Sequence, residues 1–337
     1  MFYDILIKML RGMYMEKLKF IDLFAGIGGI RLGFEDENTE CVFSSEWDKF
    51  SQKTYEANFG EVPAGDITKI SAEDIPSHDI LLAGFPCQPF SKIGKREGFK
   101  NATQGTLFFD VLRILDFHRP KAFLLENVTG ILSNDNGKTM QTIMGALDEA
   151  GYDTKFEILN SADFGLPQNR RRVYFVGFLK DLNVDFTFPK GNLDVKVPIS
   201  TILEKNVEGY DISEHLQKSY LFKKDDGKPQ IVDENSDFQA NTLVATYHKI
   251  QRITGTFVRD GKTGLRLFTK DECKKLQGFP DDFVVPVSRT QMYRQFGNSV
   301  SVPVVKQIAD NIKKECELVD AGKIGTNKFE NYAGTFG

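Results

Sequence analysis

From residue 18 to about residue 180 the apolar positions follow two alternating rhythms. Continuous apolar runs at Leu18–Leu23, Cys41–Ser45, Ile80–Ala83, Ala122–Leu125, Phe156–Leu159 and Val173–Gly177 predict buried strands. Between them, Phe50–Phe59, Thr106–Phe117 and Thr139–Ala150 place apolar residues at helical spacing, and Leu32-Gly33-Phe34 suits a short helix. Strands that alternate with helices imply an α/β fold with a doubly wound, mainly parallel sheet covered on both faces. Ligands of such sheets bind at the carboxyl edge of the strands.

The rhythm stops near Phe188-Pro189-Lys190-Gly191. From there to about Arg266 the chain is polar and irregular, with short β-like pieces at Leu243–Tyr247 and Gly255–Val258. Its aromatic and β-branched content fits a second, smaller, partly β domain better than a disordered insertion. The Val302–Glu315 segment reads as a helix with Pro303 in its first turn. The expected division is a catalytic domain over 16–188 plus 292–320, a second domain over 189–291, an N-terminal extension over 1–15 and a tail over 321–337. Met13 and Met15 offer alternative starts just before the first strand. The first residues make a poor signal peptide and no run reaches the length of a membrane span, so the expectation is a cytoplasmic protein.

Composition changes little: 41% hydrophobic and 27% charged residues are ordinary for a globular chain of 337 residues. The four cysteines, Cys41, Cys87, Cys273 and Cys316, form no C-x-x-C pair, which argues against zinc and for a reducing compartment. The four histidines lack metal-ligand spacing, so no metal is expected. The net charge of −4 does not suggest nucleic acid, yet it hides local asymmetry. Lys249–Lys275 holds eight Lys or Arg against three Asp or Glu. Lys92, Lys95, Arg96 and Lys100 crowd the stretch after Cys87, and Arg170-Arg171-Arg172 forms a third cluster. Such patches either bind phosphates or are solvated faces.

Two stretches carry candidate chemistry. Phe20 to Gly29 runs a strand into a G-x-G-G turn at Gly26, Gly28 and Gly29, where glycine permits close approach of a ligand. Glu46 follows Gly26 by 20 residues at the end of the second strand, suited to accept from ribose hydroxyls. Trp47 offers a face for a base and Asp66 an acceptor for its amino group, so the turn reads as a nucleoside site. Phe85-Pro86-Cys87-Gln88 puts a thiol at the tip of the third strand, and Glu126-Asn127-Val128 puts an acid at the end of the fourth. A nucleophile and an acid at one edge are what covalent attack on a polarised ring requires.

These residues, in this order, resemble the bacterial C5-cytosine DNA methyltransferases of restriction-modification systems. Phe24-Ala25-Gly26-Ile27-Gly28-Gly29 is similar to their cofactor motif, Phe85–Ser91 to their nucleophile motif and Glu126-Asn127-Val128 to their acid motif. Gln168-Asn169-Arg170-Arg171-Arg172 is similar to their Q-x-R-x-R motif, and Leu276–Pro280 and Gly297–Val300 to their two C-terminal motifs. The resemblance runs from Phe20 to about Ala309. It implies a Rossmann-like methyltransferase domain that takes S-adenosylmethionine and leaves S-adenosylhomocysteine, with a small target-recognition domain forming the other half of a clamp on double-stranded DNA. Cys87 would be the thiolate that adds to carbon 6 of a flipped-out cytosine. Glu126 would hold its amine and N3, Arg172 its carbonyl oxygen, and Arg170 the cysteine loop or backbone. Phe24, Gly26, Gly28, Gly29, Glu46, Trp47, Asp66, Ile67, Pro86, Leu107, Asn298 and Val300 would line the cofactor. Gln88, Ser91, Lys95, Arg96, Thr242, Lys249 and Arg252 would meet DNA, with Tyr247 and Gln251 as further candidate readers of bases. The loop Ser91–Thr106 would be the mobile one. The protein would act as a monomer, and a cognate restriction endonuclease would be its genetic partner.

Two positions depart from the family pattern. Gln104 stands where many members have arginine, and Thr269-Lys270-Asp271-Glu272 replaces T-P-R-E, which puts the bracing of the small domain in question. Three rival readings share part of the pattern: a tRNA cytosine methyltransferase on the same template, a NAD-dependent oxidoreductase and a DNA-binding protein without activity. The first is expected to carry a Cys-Phe-Thr element that is absent here, and the second leaves Cys87, Glu126 and Arg172 without a role.

Overall fold

The computed structural model describes residues 16–86 and 107–324. Strands β1 (Leu18–Leu23), β2 (Thr39–Ser45), β3 (Ile80–Ala83), β4 (Ala122–Val128), β5 (Tyr152–Asn160) and β6 (Arg171–Leu179) form one sheet in the order β2-β1-β3-β4-β6-β5. Helices α1 (Gly29–Phe34), α2 (Lys49–Phe59), α3 (Leu107–His118) and α4 (Lys138–Glu149) connect strands within this half. Residues alternate between the two faces with period two. Ile21, Leu81, Phe123, Leu125 and Phe175 pack in the core that includes α3 and α4. Phe20, Leu82, Leu124 and Tyr174 pack in the opposite core with α1 and α7 (Val302–Asp320). Both faces are therefore covered, as the continuous apolar runs require.

One strand departs from the expected direction. β6 runs antiparallel to both β4 and β5. The ten residues 161–170 that join β5 to β6 hold only a short helical turn, Ser161–Phe164, ended by Gly165 at φ 81°. A parallel return needs a crossover of a dozen or more residues, so the chain reverses instead.

Residues beyond the sheet build a third apolar core, in which Ile199, Ile212, Leu221, Phe257 and Phe268 pack with Met292, Tyr293 and Phe296. Its regular structure is sparse: a parallel pair, β7 (Gln230–Val232) with β8 (Thr256–Val258), and helices α5 (Lys270–Gln277) and α6 (Arg289–Asn298). Leu243–Tyr247 is not a strand. Tyr247 opens a helical turn that ends at Ile250, whose φ is 53°. The departure at Lys270-Asp271 leaves the bracing intact. Thr269 caps α5 and forms a capping box with Glu272. Glu272 also pairs with Arg266 at 2.8 and 2.9 Å, and both side chains are fully buried. Among the described residues, no helix is long and apolar enough to cross a membrane.

Candidate active site

The glycine turn and the acid 20 residues later meet directly. After β1 the backbone turns through Phe24 at φ 54°, Gly26 at φ 57° and Gly28 at φ 84°. A Cβ on Gly28 would lie 2.1 Å from the Phe59 ring, so this position accepts no side chain. The turn N–H of Gly26 donates to Glu46 Oε2 at 2.8 Å, and the N–H of Asp48 donates to Glu46 Oε1 at 2.8 Å. Asp48 in turn caps α2 by accepting from the N–H groups of Phe50 and Ser51. Burial pushes the Glu46 carboxyl up, while the backbone donors oppose that shift. Trp47, 71% exposed, projects beside it.

A cavity of about 420 Å³ opens along this edge. Of the expected cofactor residues, Phe24, Gly26, Gly29, Glu46 and Trp47 line one part. Pro86, Leu107, Asn298 and Val300 line it as well. Gly28 faces Phe59, away from the lining. Asp66 and Ile67 also stand outside the lining. The Asp66 carboxylate accepts from the Thr68 N–H and hydroxyl, which lowers its pKa. Ile67 is buried, and its carbonyl accepts from Arg113 at 2.6 Å.

The reversed strand β6 supplies the catalytic end. Because it runs against β4, its first residues lie beside the last residues of β4: Arg172 is opposite Val128 and Tyr174 opposite Glu126. Arg172 Nε lies 3.2 Å from Glu126 Oε1, and Glu126, Arg170 and Arg172 all line the cavity. A parallel β6 would have carried both arginines to the far edge. Burial pushes the Glu126 carboxyl above its ordinary value, and the guanidiniums of Arg172 and Arg170 pull against that. A carboxyl held this way keeps a proton to donate at higher pH than a free glutamic acid. Asn127 has a role that its place in the acid motif did not disclose. Its Nδ2 donates to the Phe85 carbonyl at 2.8 Å, and its Oδ1 accepts from the Val128 N–H. The end of β4 thereby holds the backbone that leads into Pro86. Cys87, Gln88, Ser91, Lys95, Arg96 and the loop with Gln104 lie outside the described residues.

Arg170 is not placed to act on a substrate. It is 2% exposed and spends its guanidinium on three backbone carbonyls: Leu243 at 2.9 Å, Gly297 at 3.0 Å and Ser299 at 2.5 Å. Burial lowers its pKa to about 9. Gln168 completes the grip by accepting from the Leu243 N–H at 2.6 Å. Thr242 donates its hydroxyl to the Asn169 carbonyl at 2.6 Å. Gly297 leaves room for this segment, since a Cβ there would sit 2.2 Å from the Ala245 nitrogen.

Two of the expected base readers are structural. Arg252 is buried, donates to the carbonyls of Leu221 and Lys224, and pairs with Asp226. A polar, irregular loop needs such an internal donor because it has few backbone partners. Tyr247 is buried too, and its hydroxyl donates to the Thr256 carbonyl at 2.7 Å. Lys249 and Gln251 are exposed.

Comparison with known proteins agrees with this geometry. Residues 18–314 match the family model described as C-5 cytosine-specific DNA methylase. The chain is 64% identical over 305 residues to the Type II methyltransferase M.BsuFI of Bacillus subtilis, covering 90% of this chain and 74% of that one. It is 56% identical over 307 residues to the Type II methyltransferase M.MspI of Moraxella sp, covering 91% and 73%. Among solved structures, an Entamoeba histolytica methyltransferase, EhMeth, superposes with TM-score 0.71 at 24% identity, covering 89% of this chain and 99% of that one. Spodoptera frugiperda DNMT2 superposes with TM-score 0.70 at 23% identity, covering 89% and 100%. At those identities the likeness speaks for the fold.

Proposed function

This chain belongs to the C-5 cytosine-specific DNA methylase family, and we propose that it methylates carbon 5 of one cytosine within a specific duplex DNA sequence, using the cavity at the carboxyl edge of the sheet. The observation that carries the reading is the meeting of three motifs in one cavity. The Gly26–Glu46 hydrogen bond lies at one part of it, the Glu126–Arg172 pair at another, and Phe85 and Pro86 of the nucleophile motif line it as well. S-adenosylmethionine, bound against the glycine turn, supplies the methyl group. The buried Glu46 carboxylate has lone pairs left for ribose hydroxyls, and the cavity volume is of the size that small-molecule sites take.

Cytosine carbon 5 is too electron-poor to attack a methyl donor unaided. The Cys87 thiolate adds to carbon 6, and the electron pair moves toward N3. Glu126, whose pKa burial raises, donates to N3 in its protonated form and stabilises that charge. Arg172 faces the exocyclic carbonyl oxygen of the base while it holds Glu126 in place. After carbon 5 takes the methyl group, loss of its proton restores the double bond and expels the Cys87 sulfur. The base must leave the helix for this attack, at a cost of a few kcal/mol that phosphate contacts offset. Arg170 acts as a positioning residue, joining the Leu243 segment to the Gly297–Ser299 turn. Residues 189–291, which contribute most of the third core, serve as the target-recognition domain, and 16–188 with 292–320 as the catalytic domain. Exposed Lys249 and Gln251 meet the DNA, as do Gln88, Lys95 and Arg96, with Thr242 and Ser91 at the target phosphate backbone. The protein works as a monomer in the bacterial cytoplasm and protects DNA from a cognate restriction endonuclease.

Bisulfite sequencing of DNA from expressing cells will identify the site as one short sequence methylated throughout. A duplex carrying 5-fluorocytosine at that site should then form a covalent adduct that maps to Cys87. Absence of the adduct, its mapping to another residue, or methyl transfer to tRNA in place of duplex DNA overturns the proposal.

A further inference from the structure

Between residues 189 and 291 lies a second, open cavity of about 720 Å³ that no step of the reaction uses. It is lined by Phe222, Lys224 and Lys228 from the turn after Leu221, and by Phe238 and Asn241 from the stretch before Thr242. Both phenylalanines are exposed. Among the described residues, Lys224 is hydrogen-bonded only through its carbonyl, and Lys228 and Asn241 only through their backbone N–H groups. Asp225 is the one acid on the lining.

The turn is shaped from inside by Arg252. Its Nε donates to the Leu221 carbonyl at 2.9 Å, its Nη2 donates to the Lys224 carbonyl at 3.0 Å, and the guanidinium pairs with Asp226. Asp226 also accepts from the Lys228 N–H at 3.1 Å. One buried guanidinium thus fixes the backbone at both lysines and leaves their side chains on the cavity wall. Arg252 itself belongs to the neighbouring turn, beside exposed Lys249 and Gln251, so it joins two turns into one surface. That surface continues into the catalytic cavity. The Ala240 carbonyl accepts from the Asn169 N–H at 2.9 Å, and the Leu243 carbonyl holds Arg170. Asn241 and Leu243 are separated by at most about 7 Å of chain, about two base steps of a nucleic-acid strand.

We propose that this second cavity holds the duplex beside the target base, with Lys224 and Lys228 on phosphates, Asn241 on a base edge, and Arg252 as the positioning residue that presents both lysines. The inference rests on the DNA reading above and carries it to residues outside the catalytic motifs. The chemistry selects the occupant. Two unpaired ammonium groups against one carboxylate draw a row of phosphates, in a protein whose net charge is −4. A side-chain amide offers a donor and an acceptor together, the pattern that base edges present in the major groove. Phe222 and Phe238 supply apolar contact for sugars and thymine methyl groups. A strand whose target base enters the catalytic cavity carries its neighbouring nucleotides past Asn241.

The test uses the full chain and a duplex carrying the site found by bisulfite sequencing, together with duplexes that each change one base pair of it. Replacing both lysines, Lys224→Ala with Lys228→Ala, should lower the slope of log affinity against log salt by about two. S-adenosylhomocysteine binding and the unfolding midpoint should stay at wild-type values, because both side chains are exposed. Arg252→Lys keeps the net charge, so a lower slope in that variant reports displaced lysines and not a lost cation. Asp226→Ala, an exposed change, should lower the slope too, although it makes the turn more positive. Asn241→Ala should cut the preference for the cognate duplex over one of the single-pair variants about tenfold and leave the other preferences unchanged. A wild-type slope in the double lysine variant, in Asp226→Ala or in Arg252→Lys overturns the proposal, and so does full discrimination by Asn241→Ala. Loss of affinity for tRNA and not for the duplex in the double variant would make the cavity an RNA site and overturns it as well. A wild-type protein that binds no duplex overturns the DNA reading itself, before any variant is compared.

Discussion

Around the central sheet, the strand ladder brings functional side chains together, with Glu46 and Asn127 fastening the adjoining loops; between residues 189 and 291, where there is almost no ladder, buried charged side chains hold the chain. Glu126 and Arg172 meet because β4 and β6 are paired through seven residues of ladder. The Leu243 segment, the Leu221–Asp226 loop and the start of α5 have almost no ladder. They are held by Arg170, Arg252 and Arg266, each buried and each donating to carbonyls or paired with an acid. A ladder uses groups that every residue carries, so it tolerates changes of side chain. A buried guanidinium is a single point of failure, because its removal leaves acceptors and acids uncompensated in a low-dielectric interior. The region between residues 189 and 291 can therefore vary its surface freely only if these internal braces stay.

That contrast can be broken most sharply at Arg266. Arg266→Met strands the fully buried Glu272 and should cost about 3–5 kcal/mol in urea unfolding. A loss below 1 kcal/mol would mean that the braces are ornamental. On the sheet side, Glu126→Gln keeps the shape but removes the proton donor, so kcat should fall about 10²–10³-fold with the fold intact. Unchanged binding of S-adenosylhomocysteine by that variant would separate chemistry from cofactor capture. Its wild-type counterpart should lose kcat as pH rises through the elevated pKa of Glu126, because the protonated form is the active one.

Arg252 and Lys249 sharpen the comparison within one loop. Arg252→Ala should destabilise the protein by about 2 kcal/mol through its stranded carbonyls and Asp226. Lys249→Ala should leave stability unchanged, weaken DNA binding on all sequences alike, and reduce the salt slope by about one. Reversed outcomes would return Arg252 to the DNA surface.

Asp22 gives an effect that is resolved by pH and not by site. It is fully buried in β1, both oxygens lack hydrogen-bond partners among the described residues, and burial raises its pKa to about 8. The folded state then holds a proton that the unfolded state releases near pH 4. Its contribution is present in full below that value and declines, by at most about 1.4 kcal/mol per pH unit, until the pH passes about 8. Asp22→Asn should flatten this part of the stability profile, and identical profiles for the two proteins would show that Asp22 is ionised in the fold.

Much of the sheet was legible from local patterns. β1 and β3 have the limits that their apolar runs predict, α3 and α4 differ from their expected limits by one residue at each end, and α2 differs by one residue at its start. The direction of β6 was not legible, because strand periodicity carries no sign; only the length of the preceding connection, too short for a crossover, held that information. Arg252 and Tyr247 were misread for a related reason. Charged and aromatic residues in a polar stretch look like surface residues until the partners that enclose them, Asp226, Leu221 and Thr256, are brought near by the fold.

The amino-acid sequence alone determined which residues could carry the chemistry: a glycine turn, an acid 20 residues later, a prolyl-cysteine and a Glu-Asn-Val triplet. Spacing and residue type suffice for that, because a reactive group and its local turn lie within a few residues of each other. Tertiary structure decided which arginine touches the acid and which braces a carbonyl. It also decided which asparagine holds the backbone at Phe85 and which glutamine oxygen is left without a partner among the described residues. Those roles are set by atoms far apart in the chain, and burial and distance, which no local pattern records, fix the energy of each contact.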